Sequence, residues 1–302
     1  MNVCAERGAG GSSWATVTGL GADHHRTLPA DRPDRSGTTS ETWPVPSWVG
    51  EAHPPLDRDE VRVWLVSLDR VGEATHLEAL LATDERARAD RFRFARDRNR
   101  FIACRGVCRL LLGRTLGSHP ATLRFRTGPA GKPALVGDYA TEGLRFNVTH
   151  AGGFALIALA RDREVGVDLE WIRPDFDYPP VATWFTPGEQ QALAATVAER
   201  RRTAFYAMWT LKEAYAKALG RGLSLPLDQF EVVFPPAEHA VTLAHPVPHD
   251  GDPATPSRWN LRTLNLGPDY AGALAVERRD RDWHQTTWRW PNDASDERPS
   301  GS

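Results

Sequence analysis

The chain of 302 residues has only three cysteines, no long apolar run and no excess of basic residues. Three cysteines are too few for a disulfide framework, and we expect reduced thiols in the cytoplasm. No apolar stretch reaches the ~18 residues that a membrane helix needs, and the first residues lack the basic and apolar segments of a secretory signal. With 37 basic and 39 acidic residues, the net charge is −2. We therefore expect a cytoplasmic protein that binds neither membranes nor nucleic acids.

Lysine is also scarce, because the 37 basic residues include only Lys132, Lys212 and Lys217 beside the arginines. Lysine is a compact charge with a tunable pKa, whereas arginine is a rigid fork with a fixed charge. The three lysines are therefore candidates for chemistry, unless they simply escaped a bias in nucleotide composition.

Both ends of the chain are rich in small and polar residues and show no periodicity. We predict disordered tails over residues 1–55 and 289–302, and we set aside His24 and His25 because they lie in the first tail. Between the tails we predict two lobes, over residues 56–163 and 164–288.

The apolar periodicity predicts helices over residues 83–112, 187–199 and 202–219. Strands are predicted over residues 61–66, 122–126, 144–148, 154–160, 165–170, 230–234, 260–266 and 271–276. The order of strand, helix and strands occurs twice, which predicts an α+β fold of two similar lobes.

The sharpest motif is Gly166-Val167-Asp168-Leu169-Glu170, within a predicted strand. Side chains alternate along a strand, so Asp168 and Glu170 share one face. Neighbouring carboxylates repel each other, and a divalent cation such as Mg²⁺ is a common reason to place them together. The alternative is an edge strand with a solvated acidic face.

A second motif runs from Trp209 to Gly220 in a predicted helix. Trp209, Glu213 and Lys217 are spaced four apart and therefore share one helix face. That face can supply a third metal ligand and a cation for a phosphate. The alternative is an ordinary glutamate–lysine pair, worth only ~0.3–0.5 kcal/mol.

Weaker features accompany these two motifs. The segment Phe146-Asn147-Val148-Thr149-His150 ends a strand with a histidine that can donate to a phosphate, or that is a turn histidine without a partner. Gly131-Lys132-Pro133 is a tight turn that carries one of the scarce lysines. Residues 86–100 include seven arginines, which either meet phosphates or form a solvated face. Cys104 and Cys108 are expected to be small core residues.

Together these motifs resemble the surfactin-type (Sfp-like) 4'-phosphopantetheinyl transferase family. The resemblance rests on the acidic strand, the Trp–Lys–Glu–Lys helix, residues 146–150 and Gly131-Lys132-Pro133, in the family's order. Residues 222–230 match as well, and the arginine-rich residues 91–100 match more loosely. The resemblance spans residues 61–276. It implies a pseudo-twofold α+β fold with coenzyme A in the cleft between the lobes.

The resemblance also implies a reaction. The 4'-phosphopantetheine arm of coenzyme A would pass to a serine hydroxyl of an apo acyl, peptidyl or aryl carrier protein, releasing 3',5'-ADP. Asp168, Glu170 and Glu213 would hold Mg²⁺, Glu213 would accept the serine proton, and Lys217 would assist the leaving group. The implied contacts to coenzyme A are Arg88, Arg126, Gly131, Lys132, Asn147, Thr149, His150, Asp168, Glu213 and Lys217.

The resemblance assigns the adenosine and its 3'-phosphate to the first lobe, and the metal site with the catalytic helix to the second. We expect a monomer, because the two lobes of one chain already form the cleft. Carrier domains are typically acidic, so an arginine-rich rim can steer them toward it. Fatty-acid, polyketide and nonribosomal-peptide carriers all stay open as partners.

The sequence departs from the family pattern at four positions. Glu85 stands where some members carry lysine, Phe101 where some carry threonine, Thr149 replaces serine, and Ala151 stands where serine is frequent. These departures leave the 3'-phosphate contacts open, but not the metal site. We place no counterpart in the family for the long N-terminal tail.

Two other function classes are alternatives to the transferase. One is a non-catalytic module that binds carrier proteins on the same scaffold, for which intact catalytic residues would be unnecessary. The other is a Mg²⁺-dependent nuclease or phosphatase, which the near-neutral charge disfavours.

Overall fold

The computed structural model describes residues 55–70, 74–233, 240–244, 258–279 and 282–290. Nearly all of the first predicted tail lies outside the described residues, and so do residues 291–302 of the second. Cys4, His24 and His25 lie outside them as well. None of the helices among the described residues combines the length and the apolarity that a membrane span requires.

The first lobe consists of one long helix, several short ones and antiparallel strands. Its elements are β1 (Glu60–Ser67), α1 (Ala74–Glu78), α2 (Thr83–Ala89), α3 (Ala95–Thr115), β2 (Phe125–Thr127), β3 (Pro133–Leu135), β4 (Leu144–Ala151) and β5 (Phe154–Arg161).

The second lobe has a corresponding set of elements, followed by one further strand. They are β6 (Val165–Trp171), α4 (Pro179–Ala182), α5 (Pro187–Ala195), α6 (Ala198–Ala218), β7 (Glu231–Val233), β8 (Ala240–Ala244), β9 (Trp259–Leu264) and β10 (Tyr270–Glu277). The further strand, β11 (His284–Trp290), joins the sheet of the first lobe.

The two lobes are built alike. The first sheet has the order β11-β1-β5-β4, and the second has the order β6-β10-β9-β8-β7. In the first sheet β5 pairs antiparallel with β1 and β4, and in the second β10 pairs antiparallel with β6 and β9. Each lobe also has one helix of 21 residues, α3 or α6. This correspondence confirms the predicted α+β fold of two similar lobes.

Alternation along the strands distributes the apolar side chains among three cores. Val63 of β1 and Val167 of β6 belong to a core between the two sheets. Trp64 faces the other way, into the core shared with α3. Ala273 of β10 belongs to the core shared with α6. The layers are therefore helix, sheet, sheet and helix.

Helix α6 lies very close to strand β6 because residue 166 is glycine. A β-carbon at Gly166 would lie 2.1 Å from the Ala214 carbonyl oxygen and 2.5 Å from the Ala218 amide nitrogen. Both of these atoms are backbone, so no side-chain rotation could make room for it. The glycine thus sets the distance between the acidic strand and the helix that carries Glu213 and Lys217.

The predicted helix over residues 83–112 is two helices, α2 and α3. The carboxylate of Glu85 accepts a hydrogen bond from the Ala82 amide and forms ion pairs with Arg105 and Arg109. In one straight helix, residues 85 and 109 would be about 36 Å apart at the standard rise. Folding α2 back onto α3 lets the buried Glu85 meet both arginines, and this is why the single helix is wrong.

Strand β11 changes the predicted boundaries of the second lobe. It runs parallel to β1 at the edge of the first sheet. Trp288 stacks on Trp64 with the ring centroids 6.1 Å apart, and Trp290 meets Trp64 edge-on at 6.2 Å. Residues 284–290 therefore lie in the first sheet, whereas the predicted boundaries divide them between the second lobe and the C-terminal tail.

Candidate active site

Side chains from three elements meet where β4, β6 and α6 come together. The Lys217 ammonium donates to Asp168 Oδ1, and also to Thr149 Oγ1 at 3.2 Å. Thr149 Oγ1 in turn donates to Asp168 Oδ1 at 3.3 Å. The structure thus brings the acidic strand and the lysine of α6 together, and adds Thr149 from the first lobe.

Carboxylate oxygens in this cluster lack partners. Asp168 Oδ2, Glu213 Oε1 and Glu213 Oε2 are buried and accept no hydrogen bond from any described residue. An unsatisfied buried polar group costs about 1–3 kcal/mol, and more when it is charged. Oxygens left in this way are typical of a site that binds a cation.

The pKa values of the acidic groups reflect the same crowding. Burial and the negative charge of Asp168 raise the pKa of Glu170 to about 8, although Lys217 and a hydrogen bond from Trp209 Nε1 oppose the rise. Burial raises the pKa of Glu213 to about 7, and Asp168 adds to this rise against the effect of Lys217. Both pKa values therefore lie above that of an ordinary glutamate, and added positive charge would favour the ionised form of each carboxylate.

Burial has the opposite effect on the pKa of the Lys217 ammonium. Burial lowers its pKa, but the charges of Asp168 and Glu213 outweigh burial, and the net pKa is raised. Lys217 therefore stays protonated at neutral pH.

The donor types fit a hard divalent cation, because Mg²⁺ prefers carboxylate oxygens. Within the described ranges, however, no three acidic, histidine or cysteine side chains already lie close enough to hold one metal ion. Lys217 occupies Asp168 Oδ1, and Trp209 holds Glu170 Oε1 at 3.3 Å. Metal binding by these carboxylates therefore requires their side chains to shift.

Positive charges gather beside this cluster, around His150. Desolvation lowers the pKa of His150, and the charges of Lys217, Arg88 and Arg100 lower it further. Arg100 is held by Asp69 through hydrogen bonds of 2.7 and 2.6 Å. The predicted His150 and Arg88 thus share one region with Lys217, which suits a phosphate group. Arg100 is not among the coenzyme A contacts that the resemblance implies. The sequence marks it only as one of the seven arginines in residues 86–100.

Other predicted coenzyme A contacts have different surroundings. Asn147 is buried, and its Oδ1 accepts a hydrogen bond from the Val167 amide at 2.9 Å, which joins the two lobes. Arg126 is exposed on β2. Gly131 has a φ of +87° in the turn between β2 and β3. Lys132 lies in the same turn, and its ammonium contacts the second lobe.

Lys212, whose role the sequence leaves open, lies away from the acidic cluster. Its side chain is fully buried, and its ammonium binds both carboxylate oxygens of Glu189 at 2.6 and 2.8 Å and the Phe230 carbonyl at 2.6 Å. Glu189 also accepts the Val232 amide hydrogen bond at 2.8 Å. Lys212 therefore anchors α6 to α5 and β7.

Two of the departures from the family pattern have structural roles. Glu85 is buried between Arg105 and Arg109, as described above. Phe101 packs against Phe92 with the centroids 5.4 Å apart, and the Arg88 guanidinium lies 5.4 Å from the Phe101 ring centroid. Phe101 therefore helps to orient Arg88.

Comparison with known proteins gives matches over both lobes. Residues 164–275 match the 4'-phosphopantetheinyl transferase superfamily, and residues 70–162 match the N-terminal part of 4'-phosphopantetheinyl transferase. The chain is 36% identical over 234 residues to 4'-phosphopantetheinyl transferase HetI of a Nostoc species, covering 77% of this chain and 93% of that protein.

Two further relatives have related names. A putative 4'-phosphopantetheinyl transferase of a Synechocystis species is 36% identical over 228 residues, which cover 75% of this chain and 86% of that protein. The 4'-phosphopantetheinyl transferase Sfp of Bacillus subtilis is 27% identical over 202 residues, which cover 67% of this chain and 84% of that protein.

Proposed function

Because the chain belongs to the 4'-phosphopantetheinyl transferase family, we propose that Asp168, Glu170, Glu213 and Lys217 carry out its reaction. The enzyme transfers the 4'-phosphopantetheine arm of coenzyme A to carrier proteins. The acceptor is a serine hydroxyl, and the second product is 3',5'-ADP. The observation that supports this assignment best is the set of three unpartnered carboxylate oxygens beside a largely buried, charged lysine.

Asp168, Glu170 and Glu213 would hold Mg²⁺. When bound, the ion would neutralise charge on the pyrophosphate oxygens of coenzyme A. The raised pKa values of Glu170 and Glu213 support this role, because added positive charge lowers the free energy of both ionised carboxylates.

Lys217 and Glu213 would supply the two further parts of the mechanism. The Lys217 ammonium stays protonated, so it can stabilise the negative charge that develops on the leaving oxygen. Glu213 accepts the proton of the attacking serine, directly or through one water molecule.

The first lobe would hold the adenosine half of coenzyme A. Arg88 and His150 are proposed for its 3'-phosphate, since the charges of Arg88, Arg100 and Lys217 all act at His150. Thr149 links that region to Asp168 through its hydroxyl. Arg126, Gly131 and Asn147 stay predicted contacts, and the second lobe supplies the metal site and the catalytic helix.

We propose that the reaction takes place in the cytoplasm. Cys104 and Cys108 are unpaired thiols in the core, in agreement with a protein of the reducing cytoplasm. We propose that the enzyme acts as a monomer, because one chain supplies both lobes. Its partners are acyl, peptidyl or aryl carrier proteins.

Calorimetry of coenzyme A binding with and without Mg²⁺ tests the proposed site. We expect Mg²⁺ to strengthen binding to the wild type and to have little effect on Glu213→Gln. Glu142→Gln removes an exposed carboxylate elsewhere and should behave like the wild type. Coenzyme A binding that is equally tight with and without Mg²⁺ would refute the metal assignment and favour the non-catalytic module.

A further inference from the structure

The turn between β2 and β3 contacts the second lobe through Lys132. The Lys132 ammonium donates to Glu164 Oε2 at 2.6 Å and to the Ala218 carbonyl at 2.8 Å. Only 17% of its side chain is exposed. Glu164 directly precedes β6, and Ala218 is the last residue of α6. Both partners therefore adjoin the two elements that carry the acidic cluster and Lys217.

The carbonyl of Ala218 needs a partner because it lies in the last turn of α6, where helical partners are missing. Two other carbonyls of this turn are satisfied by the chain that follows. The Gly220 amide donates to the Lys217 carbonyl, and the Arg221 amide donates to the Ala216 carbonyl, both at 3.1 Å. This is a Schellman motif, with Gly220 at a φ of +66°. Lys132 completes the turn by binding the Ala218 carbonyl.

The Lys132 side chain also packs along this turn. Its Cδ lies 3.6 Å from the position that a β-carbon on Gly220 would occupy. A cation at the C-terminal end of a helix is favoured by the helix dipole. Lys132 therefore contributes both charge and packing to the end of the catalytic helix.

The charges around Lys132 differ from those of the proposed phosphate region. The charges that act on the Lys132 ammonium are those of Glu164, Arg145 and Glu277. The charges that act on His150 are those of Lys217, Arg88 and Arg100. Glu164 also pairs with Arg145 at 2.9 Å. The Lys132 ammonium is thus compensated by Glu164 on the side of the lobe junction.

We infer that Lys132 is a positioning residue rather than a ligand of coenzyme A. It fixes the last turn of α6, and with it Lys217, against the first lobe. This inference rests on the proposed function and replaces the prediction that Lys132 contacts the adenosine half.

The test compares coenzyme A with 3'-dephospho-coenzyme A as substrates, using kcat and KM for transfer to a carrier protein. The variants are Lys132→Met and Glu164→Gln, which break the same ion pair from either side, and Lys132→Arg, which keeps the charge. Arg145→Met is the matched control, because it removes another cation from Glu164 but leaves the Ala218 contact. Arg88→Ala serves as the reference for loss of a phosphate contact.

We expect kcat to fall by about tenfold to a hundredfold in Lys132→Met, because small displacements of catalytic groups cost that much. In Glu164→Gln kcat should fall as well, Lys132→Arg should recover part of it, and Arg145→Met should stay near the wild type. The preference for coenzyme A over 3'-dephospho-coenzyme A should be unchanged in all of them and reduced in Arg88→Ala. Thermal unfolding identifies variants that fail to fold, and if Lys132→Met fails, Lys132→Arg and Glu164→Gln decide.

The inference is overturned if Lys132→Met raises KM for coenzyme A at unchanged kcat, or loses the preference for the 3'-phosphate. It is also overturned if Glu164→Gln keeps the kcat of the wild type. Failure of the proposed function gives a different result, because the wild type itself would then transfer no arm from either substrate.

Discussion

Gly166→Ala should damage both stability and catalysis, because it separates the acidic strand from the catalytic helix. The new β-carbon would lie 2.1 Å from the Ala214 carbonyl oxygen, where an ordinary contact begins near 3.4 Å. Strand β6 and helix α6 must then move apart by about 1 Å. Overpacking of this kind costs about 1–3 kcal/mol, and the backbone on both sides places this site at the upper end. For a folded region of about 150–250 residues, which is the size of the part that the structure describes, about 3 kcal/mol lowers Tm by roughly 6–12 °C.

The catalytic effect follows from the same displacement. Asp168 and Glu170 move with β6, whereas Glu213 and Lys217 move with α6. A misplacement of about 1 Å can lower the rate by about a hundredfold. We therefore expect kcat of the folded variant to fall by about that factor.

Gly272→Ala is the matched control, in the neighbouring strand of the same sheet. Its β-carbon would lie 2.4 Å from Leu266 Cδ1, the end of a side chain that can rotate. Differential scanning calorimetry and initial rates should show a small loss of Tm and nearly normal kcat in this variant. Equal losses of Tm in the two variants, or normal kcat in Gly166→Ala, would refute the reasoning.

Three further predictions concern the charged residues of α6. Glu213→Gln should abolish transfer but raise Tm in EDTA at pH 8.5 by an amount worth about 1–3 kcal/mol. The reason is that the pKa of Glu213 is raised to about 7 in the folded protein, so the stability that its protonated form contributes is lost as the pH rises from 4.5 through about 7. The Tm values of the two proteins should converge near pH 5. A lower Tm of the variant at pH 8.5 would contradict the raised pKa. Lys217→Ala should lower both turnover and coenzyme A affinity, measured by kcat and calorimetry, and unchanged rates would mean that another cation serves the pyrophosphate. Lys212→Met should cost about 3–5 kcal/mol in chemical denaturation, because Glu189 is left buried without its partner; a loss below about 1 kcal/mol would contradict this.

Much of the second lobe's site could be predicted from local patterns. Alternation along β6 separates Asp168 from Val167, and the spacing of four along α6 places Glu213 and Lys217 together. These are short-range rules of strand and helix geometry. They predict the shared faces, and the structure shows that the two faces meet.

The remaining features depend on partners that are distant in sequence. Glu85 breaks the predicted long helix because it binds Arg105 and Arg109. Strand β11 is defined by the fit of two tryptophans around Trp64. No local pattern contains these contacts, so neither feature follows from periodicity.

The lysines illustrate the same limit. Scarcity marks all three as candidates for chemistry, but only Lys217 reaches the acidic cluster. Lys212 anchors α6 to α5 and β7, and Lys132 holds the end of α6. Composition can indicate which residues matter, whereas burial and partners decide what each one does.

The most direct test of the central claim is intact-mass spectrometry of an apo carrier protein incubated with this enzyme, coenzyme A and Mg²⁺. A panel of acyl, peptidyl and aryl carriers addresses specificity, and EDTA provides the metal control. We predict a gain of one phosphopantetheinyl arm on the carrier serine, lost with EDTA and with Glu213→Gln. An unchanged carrier mass across the whole panel, or an equal gain in EDTA, would contradict the account.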